Sequence, residues 1–208
     1  RTRIKFCGLT RRADVESAIA LGVDAIRLVL ATQSPRRLDP AQARALRSDL
    51  PPFVSCVALV MDQAPADVER FCRIVRPDLL QFHGVEEVAD CMRHGLPWLK
   101  AVAMGGMADA RETFARYPSA SGFVLDSHAA GSPGGSGARF DWSRVPRDSE
   151  HAILLAGGLD PDNVFEAVRS VRPWAVDVSS GIESAPGIKD PDKMRRFVAE
   201  VRRADAMN

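Results

Sequence analysis

Short apolar runs rich in Val, Ile, Leu and Phe alternate with longer amphipathic stretches from one end of this chain to the other, and no other feature limits its fold as strongly. The runs predict eight strands, at 3–7, 24–30, 53–61, 78–82, 98–103, 122–126, 152–156 and 174–178. Helical periodicity falls between them at 11–21, 40–49, 65–76, 85–94, 107–117, 161–171 and 190–203, with a poorer, shorter pattern at 141–147. Thr10, Asp39-Pro40, Ala64-Pro65, Asp160-Pro161 and Asp190-Pro191 read as helix starts. Strand starts recur about every 24 residues, close to the smallest period that holds one strand, one helix and two tight loops. Eight such units predict an α/β fold with a single (β/α)₈ TIM barrel spanning 1–208. An open doubly wound sheet usually stops at about five or six strands and carries a Gly-rich turn after the first, where this chain has Cys7-Gly8-Leu9-Thr10.

A formal charge of +1 leaves no overall field to attract nucleic acid or an anionic membrane, so neither is an expected partner and any anion must be recognised locally. The N-terminus lacks an apolar signal region, and no apolar run reaches about 18 residues. Cysteines 7, 56, 72 and 91 form no C-x-x-C pair, and no His cluster has zinc-like spacing, so reduced thiols in a cytoplasmic protein are expected, with no metal and no disulfide.

The active face of such a barrel lies at the C-terminal ends of its strands, where the polar residues are Cys7, Gln81, His83, Asp126 and Asp177, with Arg36 in the loop after the second strand. Side chains alternate along a strand, so Arg3, Lys5 and Cys7 share the inward face. A free Cys is usually a small buried thiol filling a gap, the reading given to Cys56, Cys72 and Cys91; the place of Cys7 at a strand top favours a reactive group. Asp126 and Asp177 close inward-facing series; each is either a general acid or base or a cap for the next turn. Gly157-Gly158 after the seventh strand and Ser180-Gly181 after the eighth make either plain tight turns or, with a short extra helix, a backbone cradle for phosphate. Arg36 fits a carboxylate or is a surface cation, His83 is a substrate contact or a structural histidine, and the glycine-rich 131–137 is a linker or a lid.

Together these pieces resemble the phosphoribosylanthranilate isomerase family of tryptophan biosynthesis over nearly the whole chain. The matching motifs are Lys5-Phe6-Cys7-Gly8-Leu9-Thr10, Ser34-Pro35-Arg36, Gln81-Phe82-His83-Gly84, Val124-Leu125-Asp126, Gly134-Gly135-Ser136-Gly137 with Phe140-Asp141-Trp142, Leu155-Ala156-Gly157-Gly158-Leu159, and Asp177-Val178-Ser179-Ser180-Gly181-Ile182-Glu183 with Pro186-Gly187-Ile188-Lys189-Asp190. The resemblance implies an Amadori rearrangement of a small phosphosugar without cofactor or metal, in a monomer or homodimer. Asp126 would be the general acid, Cys7 the general base, Arg36 the carboxylate contact, His83 and Asp177 further substrate contacts, and Gly157, Gly158, Ser180 and Gly181 the phosphate site. Rival readings are another sugar-phosphate barrel such as indole-glycerol-phosphate synthase, which needs a catalytic Lys and Glu at strand ends, and a non-catalytic phosphate-binding barrel.

The sequence departs from the family where Ala25-Ile26-Arg27-Leu28 places a long cation at a usual glycine. Alternation sends Arg27 into the barrel, where it requires an anionic partner, expected to be Asp177 rather than Asp126. Lys5, one layer below Cys7, is a further cation that would favour its thiolate.

Overall fold

The computed structural model describes residues 1–106, 109–128 and 139–207. Eight parallel strands, β1 (Arg3–Cys7), β2 (Ala25–Val29), β3 (Ser55–Val60), β4 (Leu79–Phe82), β5 (Trp98–Ala103), β6 (Gly122–Asp126), β7 (Ile153–Leu155) and β8 (Ala175–Val178), pair in chain order and close into a barrel. Each observed strand lies within its expected run. The helices are α1 (Arg12–Ala20), α2 (Pro40–Ser48), α3 (Pro65–Val75), α4 (Val88–Met92), α5 (Ala110–Arg116), α6 (Val164–Val171) and α7 (Pro191–Ala206).

The buried positions of α7, Met194, Phe197, Val198 and Val201, repeat at helical spacing and form one stripe. Phe197 meets Phe6, on the outward face of β1, edge to face at 6.1 Å between centroids. That face belongs to the main apolar core between helices and barrel; Leu99, Val124, Leu154, Ala156 and Ala175 form a smaller one within the barrel.

Several start signals act as read. Asp39 makes a reciprocal capping box with Gln42, and the Asp190 carboxylate accepts from the Asp192 and Lys193 amides. Thr10 does not cap: its hydroxyl donates to the Gly187 carbonyl at 2.5 Å, and α1 begins after Arg11 without a side-chain cap. Asp160 caps a turn, so α6 starts only at Val164. The poor pattern at 141–147 yields a single 3₁₀ turn, Trp142–Arg144, and α4 is shorter than expected. Residues 107 and 108 of the fifth expected helix, and the glycine-rich 131–137, lie outside the described residues. After β8 the expected extra helix is another 3₁₀ turn, Ser180–Ile182, followed by a small hairpin of β9 (Glu183–Ala185) and β10 (Ile188–Lys189).

Register fixes the ionic layer inside the barrel. Lys5 stands opposite Asp177, and Cys7 opposite Arg27. The Lys5 ammonium lies 3.0 Å from Asp177 and donates to Gln81 Oε1 at 2.5 Å, while Arg27 Nη1 lies 3.5 Å from the same Asp177 oxygen. Burial, the larger influence, lowers the Lys5 ammonium below its ordinary value, and Asp177 opposes it. One carboxylate thus compensates two buried cations. Removing one member of a buried pair strands the others at a cost of about 3–5 kcal/mol. Asp177→Ala should lower unfolding stability in urea by that order; a loss under about 1 kcal/mol would show that the cations reach water without Asp177.

Candidate active site

Cys7, Arg27, Arg36, His83, Asp126, Asp177, Gly157, Gly158 and Ser180 line one cleft at the C-terminal end of the barrel. Of the candidate residues read from sequence, two are outside this lining: Gln81 is fully buried and accepts from Lys5, and Gly181 sits behind the lining, where a Cβ would collide with the Leu159 carbonyl, so this glycine permits the loops after β7 and β8 to interlock. Gly157 and Gly158 both hold left-handed backbone, φ 79° and 65°, which favours glycine whatever the loop binds.

Cys7 is 2% exposed. Its Sγ accepts from Arg27 Nε at 2.7 Å and, more closely still, from Nη2. Arg27 therefore faces the barrel interior and pairs with Asp177, as alternation and charge require, but its nearest contact is the thiol. That contact follows from the Cys7–Arg27 register, which the sequence does not display. Burial by itself would lower the guanidinium, but Cys7 and Asp177 hold it above its ordinary value. Lys5 is committed to Asp177 and Gln81, so the cation touching Cys7 is Arg27.

Asp126 ends β6, and His128 follows two residues later with Nδ1 3.7 Å from Asp126 Oδ1, an ion-pair distance rather than a hydrogen bond. The His128 ring stacks on His83, centroids 4.2 Å apart. Burial pushes the Asp126 carboxyl up, but His128, His83 and Arg27 together bring it down to about 2. Burial, then the neighbouring His128 and Arg27, lower His83 to about 3. His128 was not foreseen from sequence; its signal was a second polar residue just beyond a strand-closing carboxylate.

Arg36 is fixed by Glu183, with Nε donating to one carboxylate oxygen at 2.8 Å and Nη2 to the other at 2.6 Å. Lys189 Nζ reaches the same carboxylate at 2.8 Å and the Ser179 carbonyl at 3.0 Å. Burial would raise Glu183, yet Arg36 and Lys189 hold it below the usual carboxylate range. Glu183 and Lys189 lay in a recognised motif with no role read for them; they orient Arg36 beside the turn after β8. Of the possible metal-binding groups among the described residues, one triad has the needed donors close together: His83, Asp126 and His128.

Fold and site define a (β/α)₈-barrel enzyme whose ionisable groups converge on a single mouth. The chain belongs to the N-(5'-phosphoribosyl)anthranilate isomerase family, whose profile matches residues 4–200. The isomerase of Stenotrophomonas maltophilia (strain R551-3) is 55% identical over 207 residues, covering 99% of this chain and 95% of the relative. The crystal structure of the Thermotoga maritima isomerase superposes with a TM-score of 0.89 at 34% identity, covering 97% of this chain and 99% of that one. A third structure, 32% identical with a TM-score of 0.84 and covering 97% of this chain and 99% of that one, holds the isomerase in complex with reduced 1-(o-carboxyphenylamino)-1-deoxyribulose 5-phosphate.

The mouth carries an acid sensitivity of definite sign. His83 is lowered from 6.5 to about 3, so the unfolded chain takes up a proton that the folded one refuses, and stability falls as pH drops from about 6.5 towards 3. The depressed Asp126 contributes stability above about pH 4 that is lost as pH falls through about 2. Urea unfolding at pH 7 and pH 4.5 should show the parent losing stability with a slope of up to about 1.4 kcal/mol per pH unit from this histidine. In His83→Gln the slope over that interval should be smaller; an equal slope would show that His83 is not the group titrating.

Proposed function

We propose that the chain, as one catalytic domain spanning 1–208, converts N-(5'-phosphoribosyl)anthranilate to 1-(2-carboxyphenylamino)-1-deoxyribulose 5-phosphate in the cytoplasmic pathway of tryptophan biosynthesis. The observation that carries this reading is the convergence of a thiol, a carboxylic acid, a braced guanidinium and two glycine-bearing loops on one cleft. The substrate is a small phosphosugar bearing an aromatic carboxylate. Arg36, preset by Glu183, presents its remaining donors to that carboxylate, and the backbone N–H groups around Gly157, Gly158, Ser180 and Gly181 hold the phosphate. His83 and Asp177 complete the contacts.

The reaction is an internal redistribution of hydrogen. Asp126 protonates the furanose ring oxygen, the C1–O bond breaks, and the nitrogen lone pair forms the Schiff base. Cys7 as thiolate then removes the C2 proton, the electron pair forms the C1=C2 double bond of an enolamine, and protonation at C1 with loss of the hydroxyl proton at O2 gives the ketone. In the ligand-free protein the Asp126 carboxyl lies at about 2 and is ionised. The substrate's carboxylate and phosphate bring negative charge into the same cleft, which shifts the Asp126 carboxyl upward and loads the proton as the substrate binds. Arg27 covers Cys7 Sγ, so proton abstraction requires the guanidinium to withdraw towards Asp177, its second anchor.

Each chemical group has its own test. Cys7→Ala and Asp126→Asn should each lose at least ~10²-fold in kcat with a smaller change in KM, because proton transfer occurs only in the transition state. Coupled turnover followed by loss of anthranilate fluorescence reads both, and a variant retaining most of its activity would remove that residue from its role. Arg27→Gly should stay folded, with kcat at or above that of the parent; a large fall would show that Arg27 assists the base instead of covering it.

A further inference from the structure

His83, first after β4, and the pair Asp126 and His128, at the end of β6 and just beyond it, come from segments more than forty residues apart. Each offers one donor atom, and the three atoms lie within 4.8 Å of one another. All three side chains are more than nine-tenths buried. Both nitrogens of His83, Nδ1 of His128 and Oδ1 of Asp126 have no hydrogen-bond partner among the described residues. Buried polar atoms in folded proteins are paired in the great majority of cases, and a cluster of unpaired ones calls for a ligand of matching chemistry. Two imidazole nitrogens and one carboxylate oxygen within 4.8 Å of one another suit a borderline divalent transition metal.

The spacing is near that of a coordination shell. Metal–ligand distances of about 2.0–2.2 Å put tetrahedral ligand atoms about 3.3 Å apart, so the triad closes by about 1.5 Å at most, a movement within the reach of side-chain torsions. The neighbouring cations are already compensated: Arg27 by Cys7 and Asp177, and Lys100 by Glu86 at 2.8 Å and the Gly84 carbonyl at 2.5 Å. We propose that His83, Asp126 and His128 form a binding site for one Zn²⁺-class divalent ion at the barrel mouth, and that the ion inhibits turnover by occupying Asp126. Binding stands on the triad alone; inhibition rests on Asp126 being the general acid.

The test begins with chelator-treated full-length protein titrated with ZnCl₂ in competition with a chromogenic chelator. One equivalent should bind, His83→Ala and His128→Ala should each weaken binding at least ~10-fold, and Cys7→Ser should keep it. Circular dichroism checks that the variants are folded. On the unmutated protein, Co²⁺ should give a ligand-field spectrum without a thiolate charge-transfer band. In the isomerase assay Zn²⁺ should inhibit competitively with substrate, with full recovery on adding EDTA. No binding, binding that survives both histidine variants, or binding lost in Cys7→Ser with a charge-transfer band overturns the site. If these occur while Asp126→Asn is inactive, the isomerase reading stands without the metal. One equivalent bound with turnover unaffected overturns the inhibition and removes Asp126 as the acid.

Discussion

The interior of this barrel depends on the Asp177 carboxylate. Two cations, Lys5 and Arg27, point into a space walled by β-strands, where burying either without an anion within a few ångströms would cost several kcal/mol. From that point the layout of the mouth follows. Lys5 is held one layer below Cys7 with Gln81, and Arg27 is held at the height of Cys7, so the thiol lies against a guanidinium that is also tethered to Asp177. Charges are thereby stacked along the barrel axis, with Cys7 and Asp126 lining the cleft at its mouth.

The fold was legible because its signals are local. Apolar runs at regular intervals mark the strands, and residues such as Asp39 and Asp190 make the caps their sequence context suggests. Alternation within β1, β2 and β6 correctly directs Cys7, Arg27 and Asp126 inward. Pairwise contacts were less legible, since alternation gives direction without height: that Arg27 meets Cys7 depends on the stagger between β1 and β2, which is set by the closure of the whole barrel. Arg36 and Glu183 are 147 residues apart, and only the return of the chain through a hairpin absent from the periodic pattern joins them. His128 lies past the end of β6, where strand alternation no longer applies. Thr10 looked like a cap because Thr is a good one; a tertiary partner, the Gly187 carbonyl, took its hydroxyl instead.

Two kinds of preorganisation meet at the mouth. Arg36 is rigid, because Glu183 accepts from two of its nitrogens and Lys189 shares the same carboxylate, so its orientation is settled before any ligand arrives. The group formed by Asp126, His83 and His128 is poised in the opposite sense. Its members are buried close together with donors and acceptors unused, which makes their protonation responsive to whatever charge enters the cleft. The mouth thus joins one fixed cation to one cluster of unpaired ionisable groups.

The hairpin of β9 and β10 also sets an order of events during synthesis. Arg36 is made early, while Glu183 and Lys189 follow only after all eight strands of the barrel, β8 included, have been made. Thr10 and Arg11, in the loop after β1, donate to the carbonyls of Gly187 and Lys189, so this later segment is tied to the first loop of the barrel. A nascent chain halted before Glu183 would carry the strands of the barrel with Arg36 lacking the carboxylate that braces it. The brace that fixes the direction of Arg36 is thus acquired only once the strands of the barrel have all been made.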